Sequence, residues 1–265
     1  AEVMAMAMRA RILEDRAEQG TGVQIGHRIA DDQSRRHPFA PQFLDGRPVR
    51  LVIAHVDHGN AARTGAERAA DRDADPPRAD AGDAARLGEF GVATVHEALG
   101  RVGYLGPELR PAWPGARIGG TAVTVLCWPG DNLMIHVAVE QCRPGDVLVV
   151  ATNSPSTDGL FGELFATALA NRGVRGVVLG CGIRDVAELQ EMGFPAWSRA
   201  VSAQGSVKAT AGAVNVPIVL GGQAIAPGDV VLADDDGVMV VPRADVPRAL
   251  TAGQARIDKE AASRA

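Results

Sequence analysis

From Asp83 onward, apolar and polar positions alternate between two periods. Asp83 to Val102, Leu133 to Cys142, Glu163 to Arg172, Asp185 to Met192 and Ala244 to Ala262 carry the three-to-four-residue spacing of helices. Between them lie short β-branched runs, read as strands: Thr121–Trp128, Asp146–Thr152, Val174–Leu179, Val214–Leu220 and Val230–Val241. Pro144-Gly145-Asp146 and Pro227-Gly228-Asp229 each launch a valine-rich strand, as turn chemistry predicts. Asp234-Asp235-Asp236-Gly237 reads as a hairpin inside the last apolar run. Strands alternating with helices predict a layered α/β domain.

The first eighty residues differ. They are rich in Arg, Asp, Ala and Pro, with DDQSRRHP and DRDADPPRADAGD as low-complexity pieces. An opening stretch (AEVMAMAMRARILEDRAEQ) has helical character, and Val49–Ala54 reads as a single strand. That is little apolar material for a second core, so the expectation is a poorly structured extension over 1–80 and a compact domain over 81–265. Val52-Ile53-Ala54-His55-Val56-Asp57-His58-Gly59 looks like the phosphate loop of translational GTPases. It lacks the Lys and Ser/Thr that reach phosphate and Mg²⁺, because Asn60-Ala61 follow, and coincidence explains it.

A formal charge of −5 argues against a general nucleic-acid binder. Cys127, Cys142 and Cys181 have no ligand spacing, so neither a disulfide framework nor structural zinc is expected and a reducing cytoplasm is the default. No apolar run has the roughly 18–20 residues of a membrane span.

The chemistry gathers at Gly162-Glu163-Leu164-Phe165 and Gly182-Ile183-Arg184-Asp185. The helix, turn and apolar run between them bring a helix N-terminus and a strand exit to one place. Two carboxylates, a guanidinium and free backbone N–H groups would meet there. Such a set suits a hard divalent cation beside an oxo-acid. Each residue also has a plainer reading: Asp185 as a helix N-cap, Glu163 as a first-turn acid, Arg184 as a surface partner of Asp185 or Glu188, and Leu164 and Phe165 as core.

The segments FGVATVHEALGRVG, RPAWPGARIGGTAVTV, PGDNLMIHVAVEQCRPGDVLVV, FGELFATALANRGVRGVV, GIRDVAEL, FPAWSRAVSAQGSVKAT and PGDVVLADDDGVMVVPRADV resemble the 4-hydroxy-4-methyl-2-oxoglutarate / 4-carboxy-4-hydroxy-2-oxoadipate aldolases. Those enzymes share a superfamily with the regulator of ribonuclease activity A. The resemblance implies a β/β/α swivelling-type fold, assembled as a homotrimer or homohexamer. It implies Mg²⁺ or Mn²⁺ on Asp185, with Glu163 supporting it mostly through water. It places Arg184 and the Leu164 and Phe165 N–H groups on the oxo-acid, and gives Glu260 an acid/base role in a neighbouring subunit's site. The implied activity is a class II retro-aldolase releasing pyruvate, with oxaloacetate decarboxylation as a side reaction. The family motif usually has Asp where this chain has Glu163. The family also continues past Glu260 with a further helical tail.

Asn132, Arg199 and Lys208 are candidates for a second substrate carboxylate, while His96 and His136 read as packed side chains. Lys208 and Lys259 are the only lysines, so a Schiff-base mechanism lacks an evident nucleophile. The competing reading is a non-catalytic trimer that docks on a ribonuclease; such regulators keep the Arg but lack the Asp after it. A methyltransferase has no glycine-rich nucleotide loop to support it in 88–265.

Overall fold

The computed structural model describes residues 75–264; the N-terminal helix, the Val49–Ala54 strand, the phosphate-loop look-alike and most of the predicted extension lie outside them. The description begins six residues ahead of the predicted domain start. There Arg78 pairs with buried Asp146 (2.9 Å), which also accepts from Thr121 Oγ1 (2.6 Å) and the Arg143 N–H (2.8 Å).

The first predicted helix is two. α1 (Ala81–Phe90) and α2 (Val92–Ala98) are separated at Gly91, whose φ of 85° a side chain would rarely tolerate. The N-cap is Asp80, whose Oδ1 accepts from the Gly82 and Asp83 N–H groups, so the helix starts ahead of the predicted Asp83.

The strands are β1 (Arg110–Pro111), β2 (Ile118–Cys127), β3 (Asp146–Thr152), β4 (Gly159–Phe161), β5 (Gly176–Ile183), β6 (Ala196–Val201), β7 (Ala213–Val214), β8 (Ile218–Leu220), β9 (Gln223–Ile225), β10 (Val230–Asp234) and β11 (Gly237–Val241). Nine of them form one sheet in the order β1-β6-β5-β3-β2-β10-β11, with β4 beside β5 and β7 beside β2. The helical crossovers give the parallel pairs β2–β3, β3–β5 and β5–β6, while β10 and β11 form an antiparallel hairpin on β2. Residues 103–112 nearly close the sheet. Leu105 N–H donates to Val238 O (2.9 Å), Ala112 N–H to Ala196 O (2.8 Å), and the Trp197 indole to Asp234 O (2.9 Å). The single apolar run predicted at 214–220 splits because Asn215 adopts a left-handed conformation (φ 56°), which sends β8 into a separate two-stranded ribbon with β9.

Period-two alternation assigns each strand two faces. Val147, Val149, Val178, Val231, Val238 and Trp197 point inside the curl. Leu148, Val150, Val177 and Leu179 point outward to α3 (Leu133–Val139), α4 (Glu163–Ala170) and α5 (Val186–Glu191). A third cluster lies where α1, α2 and the terminal α6 (Val246–Arg264) cover Leu232, Met239 and Val241. This is the predicted α/β layered arrangement of the β/β/α type. Among the described residues, no helix is long and apolar enough to cross a membrane.

Candidate functional site

β4 and β5 run parallel and end at the same edge, where β4 passes through Gly162 into α4 and β5 passes through Arg184-Asp185 into α5. The Arg184 N–H donates to Phe161 O (3.0 Å), tying the two exits together. Asp185 has φ 57° and ψ 39°, the left-handed region that Asp tolerates better than most side chains. It occupies the N-cap position of α5 but does not cap that helix. Its Oδ2 instead accepts from the Glu163 N–H at 3.1 Å, capping α4 from twenty-two residues away. The plain N-cap reading of Asp185 therefore fails for its own helix and holds for another.

Gly162 makes this approach possible. A Cβ built on it would overlap Asp185 Oδ2 and press on Arg184 Cγ at 3.1 Å. The two acidic and basic side chains occupy the space a side chain at 162 would need. Arg184 Nε lies 3.7 Å from Asp185 Oδ2, a loose contact with both groups substantially exposed (48% and 39%). Such a pair contributes little to stability and leaves both charges available to a ligand.

The rest of the α4 entrance is less uniform than the sequence suggested. The Phe165 N–H turns back to Gly162 O (3.1 Å), while the Leu164 N–H has no acceptor among the described residues. The Leu164 side chain is 69% exposed and not core; Phe165 is the one that packs inward, against Phe161 (5.6 Å between rings) and His136 (4.5 Å). Glu163 Oε1 accepts a 2.6 Å hydrogen bond from Thr167 Oγ1. Thr167 was missed from the sequence, although its i,i+4 spacing from Glu163 is a readable signal.

Glu260 is not part of this corner within one protomer. It lies on α6 between Arg256 (3.1 Å) and Arg264 (3.1 Å), and Arg256 also approaches Glu97 on α2 at 3.8 Å.

The second-carboxylate candidates lie on three different elements: the start of α3, strand β6 and the loop after β6. Asn132 is buried, with Nδ2 donating to Leu160 O (3.1 Å). Lys208 sits on a segment held by buried Asp131, which accepts from the Ala209 and Thr210 N–H groups. Arg199 pairs with Glu108 (3.0 Å). His136 is packed, and burial, assisted by the Lys208 charge, lowers its pKa to about 4. His96 packs on Tyr104 at 5.7 Å.

Among the described residues, no three His, Cys, Asp or Glu side chains converge as a closed metal cage. The donor set at the corner fits a more open arrangement. Asp185 holds one oxygen on a backbone N–H, its other oxygen carries no hydrogen bond among the described residues, and Glu163 is on the adjoining turn. A hard cation that keeps most of its water suits one anchoring carboxylate with a second nearby.

The RraA-like family model, described as Aldolase/RraA, matches residues 92–240. The chain belongs to that family. It is 32% identical over 172 residues to a Halalkalibacterium halodurans protein named "Putative 4-hydroxy-4-methyl-2-oxoglutarate aldolase", covering 64% of this chain and 82% of the relative. A Burkholderia multivorans protein of the same name is 36% identical over 153 residues, covering 56% and 92%. Among solved structures, Streptomyces coelicolor RraAS2, titled an unusual member of the RNase ES inhibitor RraA protein family, superposes with a TM-score of 0.63. It is 28% identical and covers 71% of this chain and 98% of its own.

Proposed function

We propose that this chain is a divalent-metal-dependent lyase. It would cleave a 4-hydroxy-2-oxo acid of the 4-carboxy-4-hydroxy-2-oxoadipate or 4-hydroxy-4-methyl-2-oxoglutarate type to pyruvate and a second oxo-acid. The observation that carries the reading is the Asp185 carboxylate, drawn onto the α4 entrance by Gly162 and set beside Arg184 with one oxygen left over. The aldolase-named relatives support the same reading.

Asp185 would hold Mg²⁺ or Mn²⁺ directly and Glu163 would support it through water. When bound, the cation supplies Lewis acidity and neutralises charge on the 2-oxo-acid group. The Leu164 N–H, at the positive end of α4, donates to the substrate carboxylate. Arg184 places its planar fork on the same oxo-acid and stabilises the negative charge that collects on the pyruvate enolate oxygen as the C3–C4 bond breaks. The C4 hydroxyl must lose a proton in that step and the enolate must gain one. Glu260, brought from a neighbouring copy in a homotrimer or homohexamer, is the proposed acid/base, acting through a water. Loss of CO₂ from oxaloacetate yields the same enolate, so decarboxylase activity accompanies the aldolase activity. The three free, buried thiols agree with work in a reducing cytoplasm.

The likeness to RraAS2 favours one second reading, a regulator that binds a ribonuclease. The two separate cleanly. Pyruvate release from oxaloacetate and from 4-carboxy-4-hydroxy-2-oxoadipate is followed with Mg²⁺, then with EDTA, for wild type and Asp185→Ala. Release that stops with EDTA and in the variant supports the lyase. A folded, oligomeric wild type that releases nothing supports the regulator.

A further inference from the structure

Glu163 opens α4 and Thr167 stands one turn later on the same face. A helical threonine ordinarily turns its hydroxyl to the carbonyl four residues back. Here the hydroxyl of Thr167 reaches past that carbonyl to the side chain of the same residue, Glu163 Oε1, at 2.6 Å. That is the length of a charge-assisted O–H···O⁻ bond, among the stronger neutral-to-ion contacts available to a protein. Thr167 and Glu163 are both half-buried, so the bond is only partly open to competition from water.

The contact restrains a long acidic side chain. A glutamate has one more rotatable bond than an aspartate, and fixing it costs conformational entropy. At the mouth of a site, an unrestrained Glu163 would sweep over many positions relative to Asp185. Tied by Oε1, it keeps Oε2 as the one oxygen left for water or ligand. An aspartate at 163 would fall one methylene short of the Thr167 hydroxyl.

We propose that Thr167 is a positioning residue: its hydroxyl fixes the Glu163 carboxylate so that Glu163 acts with Asp185 on a hydrated divalent cation. The inference rests on the metal-dependent reading of the Asp185 corner.

Mn²⁺ is titrated into the full chain and read by electron paramagnetic resonance of the free ion. Wild type is compared with Thr167→Val, Thr167→Ser, Glu163→Asp and the Glu163→Asp/Thr167→Val double variant. Thr167→Val weakens Mn²⁺ binding about 3- to 10-fold, a fraction of the full effect of a hydrogen bond to a charged group, because the contact reaches the cation only through Glu163. Thr167→Ser, which keeps the hydroxyl, restores affinity to within about two-fold. In the Glu163→Asp background, Thr167→Val has less than a two-fold effect, because the contact is already gone. Thr167→Ala replaces the valine variant if that variant does not fold. Equal affinity in wild type and Thr167→Val overturns the inference, as does an equal loss with and without Glu163, which would mark a general effect on the helix. A folded wild type that binds no Mn²⁺ overturns the metal reading and this inference with it. Binding in wild type that is indifferent to Thr167 overturns only the inference.

Discussion

The Asp234–Asp236 hairpin and the Arg184-Asp185 corner both place acidic side chains at the end of a buried strand. At the hairpin the buried carboxylate, Asp234, is consumed, while Asp235 and Asp236 are exposed. Asp234 is 7% exposed, its Oδ2 accepts from the Val92 N–H (2.8 Å) and its Oδ1 from the Asp236 N–H (3.0 Å), while Asp235 Oδ1 takes the Gly115 N–H (2.9 Å). At the corner, among the described residues, only one oxygen of Asp185 is taken, and the group is 39% exposed. Acid count alone would favour the hairpin. What separates Asp234 from Asp185 is the number of backbone N–H groups facing each oxygen: a carboxylate with both oxygens occupied joins pieces of the fold, and one with an oxygen to spare is free for chemistry.

The comparison breaks first at Asp185. Asp185→Ala is expected to lower metal-dependent pyruvate release by about 100-fold or more, a loss of roughly 3 kcal/mol of transition-state stabilisation. Asp234→Ala should leave Mn²⁺ affinity within about two-fold of wild type and instead cost about 1–3 kcal/mol of stability, by stranding the buried Val92 N–H and the partly buried Asp236 N–H. Urea unfolding and Mn²⁺ titration on the two variants give opposite patterns if the contrast is real. Gly162→Ala sharpens it. The added methyl meets Asp185 Oδ2 without filling any void, so activity should fall at least about 10-fold with a stability cost of about 1–3 kcal/mol.

A smaller effect comes from His136. Its pKa is depressed to about 4 by burial and then by Lys208, so the folded protein holds the ring neutral while the unfolded chain takes a proton near pH 6.5. The stability it contributes is complete above about pH 6.5 and is lost as pH falls toward 4. Because the ring is only partly buried, screening holds this to about 1–2 kcal/mol. His136→Asn should flatten that part of the stability–pH curve, measured by urea unfolding at pH 4.5 and 7. Glu260→Gln gives the smallest structural effect: its partners Arg256 and Arg264 are i,i+4 neighbours on the same helix in pairs more than a third exposed, so stability should shift by less than about 0.5 kcal/mol. Any large loss of pyruvate release in that variant would then report chemistry and not folding.

Much of this molecule was legible along the chain, for local reasons. β3, β5 and the β10–β11 hairpin follow from valine-rich runs bounded by Pro-Gly-Asp, Gly or an acidic turn, and α3, α4 and α5 from apolar spacing. The elements that eluded the pattern depend on distant partners. β1 and β6 pair across the closure made by residues 103–112, and β7 and β8 part company at the left-handed Asn215. At the site, the spacing of Glu163 from Arg184-Asp185 was readable. That Asp185 would turn from its own helix to cap α4 was not, because the decision belongs to Gly162, whose missing side chain makes the room. Leu164 was misread because an apolar side chain in a helix suggests core, whereas the first turn of α4 projects it outward.

The most direct test of the central claim needs no knowledge of the natural substrate. Any enzyme that makes the pyruvate enolate at this corner must exchange the methyl protons of pyruvate with solvent. Proton NMR of pyruvate in D₂O, with the full chain and Mg²⁺, should show the methyl signal fading, and the exchange should stop with EDTA and with folded Asp185→Ala. Persistent exchange in Asp185→Ala, or none in a folded wild type with Mg²⁺, would contradict the account.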